Sequence, residues 1–365
     1  MENAQFTAWQ MFLLTISFVL GTSFFIRPGG LISAAKEYAW IIPIAGGIYG
    51  VLIATLWLYL SKRHPGLSIV QICIEVLGRK VGLFFASLYI LLFIQLAAWV
   101  VRNLGDFIKM NLLMRTPIEI VHLMFLLVSA YVVIKGAESI AMQNEFLTPI
   151  LIIAFWIVFF LMLKGWDWAN FGPAQVFQPI TLIRNTKEML GFPFSEAVCL
   201  VMFFPFVKKK LVSSFLLGIG AAAIILSLIV FCVLGIVGSY RSSHLMYPLF
   251  TLAQELPFSF FLDHMEVVIV FIWFLAISIK LSIAMYCSVL GISQLFGLKN
   301  RTFTSLSLIG IILPVSLLFD NVIENMNWDH HYSFAFDSIF AVVIPVLLIV
   351  VSWIRKDQFK RLHTV

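Results

Sequence analysis

Within a long apolar stretch, Gly191-Phe192-Pro193-Phe194-Ser195-Glu196 puts a helix break next to a carboxylate. Pro193 has no N–H and its ring clashes with the carbonyl four residues back, while Gly191 is conformationally loose, so backbone groups are released from helical bonding. Glu196 adds a charge whose placement in mid-membrane costs at least ~2.5 kcal/mol, which makes it a functional candidate. A break of this kind exposes N–H groups that attract a carboxylate and carbonyls that suit an ammonium group. A second weak point, Gly21-Thr22-Ser23, lies in the first apolar run. Together the two breaks predict a site for a small zwitterion such as an amino acid, with Thr22, Ser23 and Ser195 supplying hydroxyls. The competing reading is that each hydroxyl bonds a carbonyl of its own helix.

Lys280 is the other misplaced charge. At 1.5 Å per residue it lies roughly 21 Å into its span from Glu266, and Glu196 lies roughly 18 Å into its own from Arg184. The matching depths predict that the two approach each other, or that Lys280 stands in for a coupling cation. The alternative is that Lys280 snorkels to the surface. Arg27, Arg102 and Asp106 read as solvated helix ends or as the rim of an outer vestibule. The four cysteines are isolated and no histidine sits at metal-ligand spacing, so neither a disulfide framework nor a metal site is indicated. No P-loop, HExxH or GxSxG is present, which leaves an enzyme without a residue set and no cofactor implied.

The elements that must hold these residues are membrane spans. The 365 residues are 61% hydrophobic and 12% charged, with mean hydropathy +1.02, which excludes an ordinary soluble domain. With about 20 residues needed to cross the hydrocarbon, the apolar runs predict ten spans: Ala8–Ala35, Trp40–Leu60, Val81–Val101, Ile118–Ile134, Ile140–Leu163, Ile183–Val207, Leu211–Val237, Glu266–Leu290, Phe303–Leu318 and Phe340–Ile354. Leu67 to Leu77 reads as an amphipathic helix on the membrane surface. Trp166, Trp168, Phe171 and Phe177 read as an interfacial anchor. Asp320, Glu324, Asp329 and Asp337 read as an acidic loop that also holds His330-His331.

If the spans alternate, Lys62-Arg63, Arg79-Lys80, Lys208 to Lys210, Lys299, Arg301 and Arg355-Lys356 share one face. By the positive-inside rule that face and both termini are cytoplasmic, and topology, not nucleic acid, explains the basic balance. Ten spans divide into five and five, with repeat one at about 6–163 and repeat two at about 183–354 of a single integral membrane domain, 1–365. The expected fold is therefore an all-α polytopic membrane protein, a five-plus-five inverted repeat with helices one and six broken. Matched breaks in inverted halves point to a binding site near the bilayer midplane. The candidate ligand-binding set is Gly21, Thr22, Ser23, Gly191, Phe192, Pro193, Ser195, Glu196 and Lys280.

Leu20-Gly21-Thr22-Ser23, Arg115-Thr116-Pro117, Pro193-Phe194-Ser195-Glu196 followed by Lys208-Lys209-Lys210, and Glu266 with Trp273 give the whole chain a likeness. It resembles the B subunits of bacterial spore-germinant receptors (GerAB-like), relatives of the amino acid, polyamine and organocation transporters. Ser23 and Ser195 stand where that family commonly has Gly, and His264 where it often has Arg. The resemblance implies a transporter fold used as a nutrient sensor in the spore inner membrane. It also implies an A-type membrane subunit and a C-type lipoprotein as partners, and a small germinant, most often an L-amino acid, as ligand. The alternative is a proton-coupled amino acid permease; a membrane scaffold would leave Glu196 and Lys280 unexplained.

Overall fold

Local sequence signals set the ends of the first helices. Thr7 accepts from Gln10 N and Gln10 returns its side chain to the Thr7 backbone, a reciprocal cap that starts α1, Ala8–Ala35. After α2 (Ile41–Arg63), Ser68 and Gln71 repeat the device at the start of α3, Ile69–Leu77. Gly78, at φ +82°, then turns the chain into α4, Arg79–Asn111. In the computed structural model, residues 4–172, 186–187, 189–255 and 265–355 are described. Phe177, Arg184, Asp263, His264 and the basic tail from Lys356 fall outside them.

The chain continues through α5 (Ile118–Lys135), α6 (Ala137–Met162), α7 (Leu190–Phe206), α8 (Leu211–Val237), α9 (Pro248–Glu255), α10 (Met265–Phe296), α11 (Arg301–Ser316) and α12 (Val322–Ile354). Among the described residues eight helices are long and apolar enough to cross a membrane, and α7 and α11 are shorter apolar helices at the sixth and ninth positions. The order of apolar helices is the one the hydropathy pattern predicts. Helix α1 packs on α6, α8 and α10, and α4 packs on α3 and α10. Large apolar side chains such as Leu52, Phe84, Phe146 and Phe160 point outward, where lipid is the only solvent that suits so much exposed hydrocarbon.

Four expectations are corrected. Helix α1 runs unbroken from Ala8 to Ala35, through Gly21-Thr22-Ser23 and Pro28. One glycine costs a helix only about 1 kcal/mol, and the Ser23 hydroxyl donates back to Val19 O at 2.6 Å within the same helix. The last helix starts at Val322, not at Phe340, so Glu324, Asp329, Asp337 and both neighbouring histidines are helical, not loop, residues. Helix α3 is not free on a surface: Ile69, Val70, Ile72, Cys73 and Val76 are buried, and it packs on α4. Arg27, Arg102 and Asp106 are each at most 4% exposed, so they are not solvated ends.

The break in α7 is present. Phe192 has φ −102° and ψ 120°, outside helical geometry, and the Phe192–Pro193 peptide is cis. Beyond it Ser195–Phe206 winds as a tight 3-10 helix. At a rise of about 2.0 Å per residue such a segment reaches further across a bilayer than the same residues would as α-helix.

Candidate functional site

Three helices bring the two misplaced charges together. The segment just past the break in α7 carries Glu196, α10 carries Lys280, and α1 packs closely against the Lys280 stem. Gly21 makes this approach possible, since a Cβ there would meet Lys280 Cβ at 2.9 Å. Lys280 Nζ donates to Glu196 Oε2 at 2.6 Å and to Thr22 Oγ1 at 3.0 Å. Lys280 is 0% and Glu196 5% exposed, so Lys280 does not snorkel. A buried pair of this kind holds because each ion satisfies the other, and losing either partner leaves an uncompensated charge.

Phe192 packs against the pair. Its ring centroid lies 4.6 Å from Lys280 Nζ and 4.4 Å from the Arg27 guanidinium carbon, both within cation–π range. Arg27 also donates from Nε to Phe192 O at 3.2 Å, and grips Asp329 through two nitrogens, at 2.6 Å and 3.1 Å. That fork-to-carboxylate contact ties α1 to α12 directly above the break. Outside it lies a cavity of about 430 Å³, with Arg27, Trp99, Phe192 and Asp329 in its wall. On the basic side a cavity of about 440 Å³ is lined by Gln71, Met202, Tyr286 and Gln294. There the N-terminal segment is fastened to the end of α7: Phe6 N donates to Phe206 O at 2.8 Å, and the Phe6 ring stacks on Phe203. The Lys280–Glu196 pair is thus buried behind Phe192, which also lines the cavity of about 430 Å³.

The remaining predicted residues fall into place around this core. Gly191 lets α12 cross the break, because a Cβ there would meet Phe334 backbone at 2.9 Å. Ser195 donates from Oγ to Leu190 O at 2.6 Å and has Tyr49 OH at 3.3 Å, so its hydroxyl adds a second bond to a carbonyl that also accepts the Ser195 N–H across the break. Thr22 is the hydroxyl that reaches the charges; Ser23 bonds its own helix. Phe18 adds a second ring 5.1 Å from Lys280 Nζ. Asp329 and Asp337 were missed by reading residues 320–337 as a loop. The signal that could have found them is a strict four-residue spacing of polar positions, Asn325, Asp329, Ser333 and Asp337, all facing inward. A second polar cluster pins α4 to α12: Asn325 bonds Asn103, Asp106 and Trp99, and Asp106 pairs with Arg102 at 2.8 Å.

The fold and this buried ion pair at the break define the class: an integral membrane protein with a transporter fold. Superposition on solved structures agrees. The chain is similar to Mhp1, a nucleobase-cation-symport-1 family transporter, in a closed conformation with bromovinylhydantoin bound (TM-score 0.66, 15% identity, 93% of this chain and 78% of that one). It is likewise similar to MhsT in complex with L-phenylalanine (TM-score 0.67, 12% identity, 96% and 99%). At sequence level the chain belongs to the spore germination protein family, whose family model matches residues 5–324. Its relatives in Bacillus subtilis (strain 168) include spore germination protein KB, 28% identical over 99% of this chain and 98% of that protein. Spore germination protein A2 is 24% identical over 93% of each, and B2 is 22% identical over 96% of each. The resemblance read from the short motifs is borne out.

Proposed function

We propose that this chain is the ligand-sensing membrane subunit of a germinant receptor. It takes a small germinant, an L-amino acid, into the chamber at the α7 break and passes the change to an A-type membrane subunit and a C-type lipoprotein subunit. The observation that carries this reading is the buried Lys280–Glu196 pair beside the non-helical Phe192. A structural helix has no need of an ion pair at that depth, whereas a ligand with its own charges has a use for both members. MhsT, with a similar fold, is in complex with an amino acid, which supports that ligand class.

Signalling on this reading is a shift between helix arrangements. Entry from the outer cavity requires Phe192 to swing away and Arg27 to release Asp329. A ligand shifts that equilibrium only by its differential affinity for the two arrangements. The basic face, with both termini, is cytoplasmic by the positive-inside rule, and the membrane is the spore inner membrane.

A second reading is a proton-coupled amino acid permease, favoured by cavities of similar size on the two sides of the chamber. Two assays separate the readings: uptake of labelled L-amino acids by the reconstituted protein alone, and amino-acid-triggered germination of a deletion strain carrying the gene. Germination without solitary uptake is the expected result. Concentrative uptake without any partner subunit overturns the receptor reading in favour of the permease.

A further inference from the structure

Two ion pairs use four of the charged side chains around this chamber, Arg27 with Asp329 and Lys280 with Glu196. Asp337 is left over. It lies eight residues beyond Asp329 on α12 and is 4% exposed, and its Oδ2 is buried with no hydrogen-bond partner among the described residues. The hydroxyl of the adjacent Ser338 is buried and unpartnered as well. The turn of helix that carries Asp337 packs on both halves of α7, the half that carries Phe192 and the half that carries Glu196. Three buried or half-buried carboxylates on α7 and α12 are therefore matched by two cations, whose hydrogen bonds go to Glu196, Thr22, Asp329 and Phe192 O. Burying an unpaired carboxylate is expensive unless a positive charge arrives or the group stays neutral.

We propose that Asp337 seats a monovalent cation, either an alkali ion or the ammonium group of a ligand, which completes the charge balance of the chamber. This rests on reading the chamber as a ligand site and adds what must enter it: one positive charge. A monovalent charge fits the balance: three carboxylates against two cations leave one negative charge, which a divalent ion would reverse in sign. A zwitterionic ligand brings no net charge, so with its ammonium end at Asp337 its carboxylate end would need separate compensation, at the freed N–H groups of the break.

The test uses the purified full-length chain in detergent and reads its thermal unfolding midpoint. At constant ionic strength, N-methylglucamine chloride is replaced stepwise by sodium, potassium or methylammonium chloride. The expected result is a saturable upward shift, on the order of 3 °C or more, which Asp337→Asn abolishes and the remote control Glu119→Gln retains. A response to an alkali ion alone assigns the seat to an inorganic ion; a response to methylammonium alone assigns it to a ligand amine. Should Asp337→Asn not fold, Asp337→Glu is expected to keep the shift at higher cation concentration. No shift with any of the three cations, or a shift that survives Asp337→Asn, overturns the proposal, and Asp337 is then an acid held neutral. Because this readout needs no germination or uptake, a negative result here leaves the receptor reading to its own assays.

Discussion

At the scale of single residues the account turns on Glu196 and Lys280. Each is buried, and each is the other's ionic partner. Glu196→Gln or Lys280→Met alone is expected to destabilise the fold by about 3–5 kcal/mol, because the surviving charge stays buried without compensation. The double variant Glu196→Gln/Lys280→Met should lose clearly less than the sum of the two, a coupling that unfolding midpoints of the four proteins reveal. Additive losses would mean that the two groups do not depend on each other. The serine at the break behaves differently. Ser195 bonds Leu190 O, so Ser195→Ala is expected to cost on the order of 1 kcal/mol and to leave the germinant response in place. A lost response at normal protein level would instead put Ser195 in contact with the ligand. Both charges were legible in the sequence because an ion deep in an apolar run stands out. Asp337 was not, because the acids, asparagines and histidines scattered from Asp320 to His331 interrupt the apolar pattern and make the whole stretch up to Phe340 look like a loop.

At the scale of elements, α7 and α12 differ in how openly their sequences declare them. Gly191 and Pro193 announce a break, and the chain breaks there. Gly21-Thr22-Ser23 carries no proline, and α1 stays whole because packing on α6, α8 and α10 holds it. In α12 the inward positions recur every four residues, half-buried at Asp329 and buried at Asn325, Ser333, Asp337, Ala341, Pro345 and Ile349. An ideal α-helix has 3.6 residues per turn and would rotate such a stripe away; the widened π turns at Asp329–Ser333 and Ile339–Val343 keep it facing inward. The close crossing at the break offers a test of this packing. Gly191→Ala brings a Cβ within 2.9 Å of Phe334 backbone, so it is expected to destabilise by about 1–3 kcal/mol as an overpacked contact. An unfolding midpoint equal to that of the unaltered chain would show that α12 does not cross there.

At the scale of the whole molecule, helix order and the basic clusters were readable because hydropathy and charge act residue by residue along the chain. The Arg27–Asp329 tie was not, since it joins residues 302 positions apart. Alternation of the spans predicts that reporters fused to the two termini are both cytoplasmic; opposite locations in a protease-accessibility assay would remove the orientation on which the outer cavity depends. The central claim, that the chamber at the α7 break senses the germinant, is tested most directly by dose–response germination. Spores of a deletion strain carrying either the unaltered gene or Glu196→Gln are exposed to the twenty L-amino acids, with protein levels matched by immunoblot. The account predicts that at least one amino acid triggers the unaltered spores and that Glu196→Gln abolishes the response or shifts it at least tenfold in concentration, a change of ~1.4 kcal/mol in binding. A Glu196→Gln strain that germinates at the same concentrations as the unaltered one contradicts it.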